Sequence, residues 1–428
     1  MDKMRQKVLQ GEFCADNPYA QSDEGDVASA TTQRCGSLFY DVMLDMKKAL
    51  EFVIVVFIVI MQTAVAATPQ VKNVKAMQQY PWGKVYISYE VVGDVAASAG
   101  SGDAPFLFVM AKDKTTGRIY EATHLSGGTG VSAGTHRIIW DVEAQGVAIS
   151  STNVVFTVAY CDELYLVVDL SGGVNATSYP LSYLDAVPSG GWTDAYKTTK
   201  LVLRRLSPGT YRMQNTSNVK LTKPFYIGVF EVTQKQWDLV MGFNICSTTS
   251  HGKGNTHPQH YVSYAQIRGR SASWPSSSAV DSDSFMGKLR ARTGLSFDLP
   301  TEAQWEYACR AGTTTTYYWG SSMDGNYAWC SDNSNDMTHP VGSKTANAWG
   351  LYDMSGNVWE HCLDLYGTLA YGTDPKGPAW GTATGGRVIR GGCWFSDAGH
   401  CTSSCRTAED EILGASANGF RIVRTLSN

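Results

Sequence analysis

The sequence predicts an all-β sandwich followed by an irregular α+β domain. Three observations lead there. A short apolar run ending in small residues marks a leader, β-rich runs separated by Gly and Ser clusters fill roughly the next hundred residues, and beyond them come long Gly-, Trp- and Tyr-rich stretches with two well-signalled helices. At 428 residues the chain is too long for one ordinary compact domain. Its 43% hydrophobic and 17% charged residues can build cores and do not describe a disordered chain. A net charge of −4 leaves no basic footprint, so nucleic acid is not expected as a partner.

Residues 1–45 are polar and aperiodic and read as an unstructured extension. The leader, 46–66, has Lys47 and Lys48 at its start, an apolar core from Phe52 to Met61, and small residues at Ala64, Val65 and Ala66. That order is the pattern of a secretory signal cleaved after Ala66. The core is too short for a comfortable bilayer crossing, so no stable membrane span is expected after cleavage. Because such leaders normally stand first, translation is expected to begin at Met43 or Met46. The product is then secreted, periplasmic or held at the cell surface. Eight of its ten cysteines enter an oxidising compartment, and the absence of a CxxC pair argues against structural zinc.

Residues 67–170 carry "KVYISYEVV", "APFLFVMAKD", "THRIIWDVE" and "NVVFTVAYC", partly alternating runs of Val, Ile, Tyr and Phe divided by "GDVAASAGSGDAP" and "SGGTGVSAGTH". They read as a small antiparallel sandwich of the immunoglobulin or fibronectin type. No catalytic constellation lies in it, Cys161 is expected in its core, and a spacer or adhesion role is expected. Residues 171–195, rich in Gly, Ser, Pro and Thr, read as a linker.

In "EVTQKQWDLVMG", Thr233 and Gln236 form a capping box, Val232 and Trp237 occupy staple positions, and Gly242 ends the helix. In "LPTEAQWEYACRAG", Thr301 and Gln304 repeat the box and Gly312 is the stop. Trp305, Ala308 and Cys309 share one face, which points Cys309 at a core.

Five motifs in order, "FYIGVFEVTQKQWDLVMG", "LPTEAQWEYACRAGT", "NAWGLYDMSGNVWEHC", "RVIRGGCW" and "NGFRIVR", resemble the formylglycine-generating enzyme family, the sulfatase-modifying factor domain, over 196–428. The resemblance implies an irregular α+β domain of C-type-lectin-like fold with structural calcium. In "DMSGNVWE" it places Asp353 and Glu360 as carboxylate ligands and Gly356 and Val358 as carbonyl donors, a loop of oxygens suited to a hard cation. It places a second calcium at Asn326 and Tyr327, with Asp336 nearby.

The resemblance also implies a Cu(I) site of two cysteines, since a soft ion prefers sulfur, with a serine close by. Here the copper positions fall on Ser396 and Cys401, and the serine position on Cys393. A serine hydroxyl is a hard ligand that stays protonated at neutral pH. Pairing of Cys393 with Cys401 is the remaining route to a copper centre. The family can also bridge the helix cysteine to this segment, which would pair Cys405 with Cys309 or Cys401. The chain's eight histidines form neither an HxxxHxH nor an HExxH pattern.

A second resemblance is to the variable proteins of diversity-generating retroelements, which end in the same frame: here Arg390, Gly391, Gly392 and Trp394, then Gly419, Phe420 and Arg421. Between them Phe395, Ser396, Asp397, Gly399, His400, Thr402 and Thr407 are types reachable by randomising the adenines of an AAY codon. Glu409 and Glu411 are not reachable and have to be fixed. The expectation is an exported protein that recognises an extracellular protein or glycan through Trp394, Phe395, Asp397, His400, Thr402 and Thr407. The alternative is a copper-dependent formylglycine-generating oxidase, or related oxidoreductase, acting on cysteine in sulfatases.

Overall fold

The computed structural model describes residues 51–426 except 56–69, 80–82, 93–105, 115–118, 123–124, 128–132, 146–153, 162–163, 249, 271–273 and 379–384. The extension 1–45 and most of the expected leader lie outside these residues, as does the side chain of Cys161. Within the leader, the backbone of Glu51–Val55 pairs antiparallel with Gln70–Gln79. No helix among the described residues is long and apolar enough to cross a membrane.

The N-terminal unit has two sheets. One runs in the order Glu51–Val55, Gln70–Gln79, Lys84–Val92, Gly134–Asp141, Leu125–Gly127, and the other in the order Ile119–Glu121, Phe106–Asp113, Val154–Cys161. In Lys84–Val92 every second side chain is buried, as a half-buried strand requires. Val85 and Ile87 lie opposite Trp140 and Ile138. These four share one apolar core with Val109, Ala111, Phe156 and Val158 of the other sheet.

The remaining chain is a mixed α+β unit, rich in short sheets and poor in helix. Its first sheet runs Leu181–Leu184, Tyr165–Asp169, Lys200–Leu206, Phe225–Gly228, Val423–Thr425, so the last strand joins the sheet that opens this unit by pairing with Phe225–Gly228. This moves two expected boundaries. Tyr165–Asp169, expected in the sandwich, pairs with Lys200–Leu206, and Leu181–Leu184 turns the expected linker into an edge strand. A run such as Tyr-Leu-Val-Val fits the pleat of any sheet, and its sequence does not name its partner.

Both expected capping boxes form. Thr233 N–H donates to Gln236 Oε1 at 2.9 Å, and Gln304 N–H donates to Thr301 Oγ1 at 3.1 Å. Glu302–Arg310 ends on Ala311 in the left-handed region (φ 46°), one residue before the expected stop at Gly312. Trp305, Ala308 and Cys309 are all fully buried. A further helix, Phe285–Thr293, is capped by Ser284 and stopped by Gly294. Its Phe285 stacks on Trp237 at 5.4 Å, which joins it to Gln234–Met241.

The sheet that carries the site is ordered Arg406–Glu409, Gly385–Arg390, Trp359–Tyr366, Asn418–Gly419. Buried ion pairs fix it to Glu302–Arg310. Arg390 reaches Glu306 and Glu302, while Arg406 bonds both oxygens of Glu302 at 2.6 and 2.9 Å. The segment after Arg390 is thereby anchored at its root.

Candidate functional site

The segment 391–405 begins with two glycines that geometry demands. Gly391 and Gly392 have φ of 98° and 78°, and a Cβ on Gly392 would lie 2.8 Å from the His400 carbonyl oxygen and 2.9 Å from Cys401 Sγ. The chain can therefore fold back on itself directly after the strand. Ser396 N–H donates to Cys393 O and Cys393 N–H to Ser396 Oγ, each at 3.0 Å, closing a tight turn. Asp397 then caps the short 3-10 helix Ala398–Cys401, accepting from His400 N–H at 3.1 Å and lying 2.7 Å from its Nδ1. Those hydrogen bonds hold the Asp397 carboxyl below its usual range.

The two expected copper positions and the serine position beside them do not make a thiolate pair. Ser396 Oγ accepts the Cys393 amide and lies 3.2 Å from its sulfur. Cys393 packs among Trp359, Ile389, Trp394 and Ala417, whereas Cys401 packs in a separate apolar cluster with Tyr317 and Cys330. Burial pushes both thiols up, Cys401 well beyond the usual thiol range. Cu(I) wants two converging thiolates, and the two expected positions offer one hydroxyl and one thiol whose ionisation burial disfavours, so that pair does not fit copper. Among the described residues no bond joins Cys405 to Cys309 or Cys401, the pairings the family resemblance implied.

The same segment builds an aromatic face. Trp359 and Trp394 form its floor, each 6% exposed. Phe395 stands on Trp394 edge to face at 4.8 Å and is 52% exposed. His251 stacks on Trp394 at 5.0 Å, and His400 meets Trp359 edge-on at 6.3 Å. Asp397 and His400 are exposed, while Thr402 and Thr407 are half-buried. Thr407 pairs across the strands with Ile389, which places it on the face of the sheet that Ile389 shares with Trp359. The structure thus brings Trp394, Phe395, Asp397, His400 and Thr407 to one region, with Trp394 as support and Phe395, Asp397 and His400 as the reachable rim, and among the described residues shows no contact that puts Thr402 with them. Glu409 accepts from Asn418 Nδ2 at 2.8 Å and Glu411 from Arg387 Nε at 2.7 Å, so the two acids are tied into the scaffold.

The expected calcium loop is a second polar centre. Asp353 is buried with φ of 56°, and its Oδ2 accepts from Gly342 N–H at 2.6 Å. Glu360 is occupied differently from the expectation. Arg421 binds both its oxygens and the Trp305 indole donates to one of them, so its carboxylate serves an ion pair. Glu231 joins them, accepting from Asn357 Nδ2 at 2.7 Å and from Val358 N–H at 3.2 Å. Three buried carboxylates therefore face one guanidinium. Burial, with Asp353 and Glu360 adding, pushes Glu231 well up, and burial pushes Asp353 up to about 6. A cation beside Asp353 and Glu231 would relieve that excess negative charge, but no three His, Cys, Asp or Glu side chains among the described residues are grouped as metal ligands. At the second expected position the carbonyls of Asn326 and Tyr327 already accept from Thr345 N–H and Tyr318 Oη. Asp336 is exposed, and among the described residues no contact ties it to Asn326 or Tyr327.

Sequence reasoning missed Glu231, Cys330 and His251. Glu231 had a signal, as a lone acid inside the apolar run "IGVFEVT". The other two arrive through long-range folding and leave no local mark.

Residues 194–426 match the family model described as "Sulfatase-modifying factor enzyme 1-like domain". The chain is 29% identical over 247 residues to the chaperone protein LppX of Paenibacillus barcinonensis, covering 49% of this chain and 82% of that protein. It is 45% identical over 157 residues to the formylglycine-generating enzyme of Mycobacterium tuberculosis, covering 29% of this chain and 50% of the enzyme. It thus spans half the length of that enzyme. Among solved structures it resembles Treponema denticola variable protein 1, with a TM-score of 0.46 and 25% identity over 53% of this chain and 96% of that one. With the family match extending over more than half of its length, the chain belongs to the sulfatase-modifying factor family.

Proposed function

We propose that this is an exported recognition protein, in which a sulfatase-modifying factor scaffold presents a ligand-binding face in place of a copper centre. The observation that carries the reading is the state of Ser396. Its hydroxyl stands at a copper position and is committed to the Cys393 amide, while the residues beside it, Phe395, Asp397 and His400, are exposed over a tryptophan floor. An aromatic floor with a mixed polar rim suits an extracellular protein or glycan. Calcium at Asp353, Glu231 and the Gly356 and Val358 carbonyls is a structural ion in this reading. The N-terminal unit is an immunoglobulin-like sandwich that spaces the face from the cell, and the leader at 46–66 exports the product.

Variation of the face by a retroelement is supported by the division of roles within it. Exposed positions carry types that an AAY codon can reach, and the unreachable Glu409 and Glu411 are bonded into the scaffold. A near-identical template repeat beside the gene, differing at adenines for Phe395, Asp397 and His400, is the expected genomic finding. The biochemical test is binding of the full chain to a panel of immobilised glycans and surface proteins. Phe395→Ala with His400→Ala is expected to weaken any captured ligand by tenfold or more, about 1.4 kcal/mol. Unchanged binding in that variant places recognition elsewhere.

A further inference from the structure

Cys401 has one cysteine in its own apolar cluster. Cys330 and Cys401 are 2% and 0% exposed and pack together with Tyr317, whose hydroxyl donates to Ala398 O at 2.8 Å. The loop carrying Cys330 is also clamped to the aromatic face. Ser331 N–H donates to Ser396 O at 3.0 Å and Ser334 Oγ to Trp394 O at 2.6 Å. Within the loop, Cys330 N–H donates to Asn333 Oδ1 at 3.0 Å and Ser334 N–H to Cys330 O at 3.0 Å. Both backbone segments are therefore held in register beside each other. The other described cysteines have different surroundings: Cys393 lies on Ser396, Cys246 Sγ lies against His260 O, and Cys309 Sγ against Met354 O.

We infer that Cys330 and Cys401 are partners in a disulfide that locks the recognition segment to the loop beneath it. The titratable groups that act on Cys401 include the thiols of Cys330, Cys393 and Cys405, the carboxylate of Asp397 and the Tyr317 phenol, and none of these is a cation. That setting disfavours a thiolate and with it an anionic metal dithiolate, whereas a disulfide is neutral and apolar. In the reaction each thiol gives up a proton and the two sulfurs form one bond. The two electrons and two protons pass to a low-molecular-weight disulfide, whose S–S bond breaks to give two thiols. Exchange takes place during folding, before the pair is enclosed. Once formed, the bond closes a loop that contains Trp359, Trp394, Phe395, Asp397 and His400 and restricts the unfolded chain.

The inference rests on the export part of the proposed function for its oxidant, so the test supplies one. The full chain is refolded with a mixture of oxidised and reduced glutathione, alkylated under denaturing conditions, and digested without reduction for mass spectrometry. A linked Cys330–Cys401 peptide is expected, with a melting temperature that drops on the order of 5 °C on reduction. Cys330→Ala should abolish both the linked peptide and the effect of reductant, and should leave Cys401 open to alkylation. Alkylation of both cysteines in folded wild type overturns the inference, as does a Cys393–Cys401 link. Retention of added Cu(I) by wild type that Cys330→Ala loses, without a linked peptide, overturns it in favour of a metal site. Because refolding supplies the oxidant directly, a linked peptide from refolded protein combined with free thiols in protein taken from cells would leave the pairing standing and count against export.

Discussion

Arg421 grips both carboxylate oxygens of Glu360 at 2.6 Å, and the Trp305 indole donates to the same carboxylate at 2.7 Å. One buried charge pair thereby joins the end of the chain, the site-bearing strand Trp359–Tyr366 and the helix Glu302–Arg310. Arg421 also donates to Gly228 O at 2.8 Å and to Tyr352 O at 2.9 Å. Glu360→Gln would strand that guanidinium in the interior. The expected loss is about 3–5 kcal/mol in urea unfolding. A loss below about 1 kcal/mol would contradict a structural role for the pair.

The acid centre predicts a pH dependence. Asp353 is pushed up to about 6 in the folded protein, above its ordinary value of 3.8, chiefly by burial. The folded state therefore holds this proton more tightly than the unfolded state. Its contribution to stability is full at low pH and is lost as pH rises through about 6. The swing is on the order of 3 kcal/mol. Asp364, pushed up to about 7 by burial and Glu302, acts with the same sign. The difference between wild type and Asp353→Asn isolates the first group. Calcium should raise the melting temperature above pH 7 and do little at pH 5, and Asp353→Asn should remove that gain.

The face separates support from contact. Trp394→Ala empties a buried indole site and should cost about 3–5 kcal/mol. Phe395→Ala and His400→Ala remove exposed side chains and should stay within about 0.5 kcal/mol of wild type. Denaturant titration distinguishes the two classes, and equal losses would contradict the assignment of floor and rim.

Ser396→Cys places sulfur where the family resemblance implies a copper ligand. In reduced protein it should tighten Cu(I) binding at least tenfold in a chelator competition, because soft sulfur replaces a hydroxyl. Equal binding by wild type and variant would show that Ser396 is not the missing ligand.

What was legible in the sequence was local. The boxes at Thr233 with Gln236 and at Thr301 with Gln304 span three residues each, and both form. The helix Phe285–Thr293 carried comparable marks in Ser284 and Gly294, but its weak amphipathic pattern hid it. Strand partnership is not legible in a sequence: nothing local tells that Tyr165–Asp169, expected with the sandwich, and Leu181–Leu184, expected in the linker, pair into the sheet of Lys200–Leu206. The site divided in the same way. Ser396 and Cys401 were found by motif, whereas Cys330, 71 positions upstream of Cys401, meets it only after folding. Glu360 was identified as a carboxylate of the calcium loop, but the loop sequence gives no sign that Arg421 occupies it.

The most direct test of the central claim is an activity measurement. Reduced protein is incubated with Cu(I), oxygen and a peptide containing Cys-x-Pro-x-Arg, beside the Mycobacterium tuberculosis formylglycine-generating enzyme as control, and the peptide is read by mass spectrometry. A recognition protein leaves the peptide unchanged while the control converts it. Copper-dependent conversion to the aldehyde over many turnovers would contradict the claim and return Cys401 to an active site.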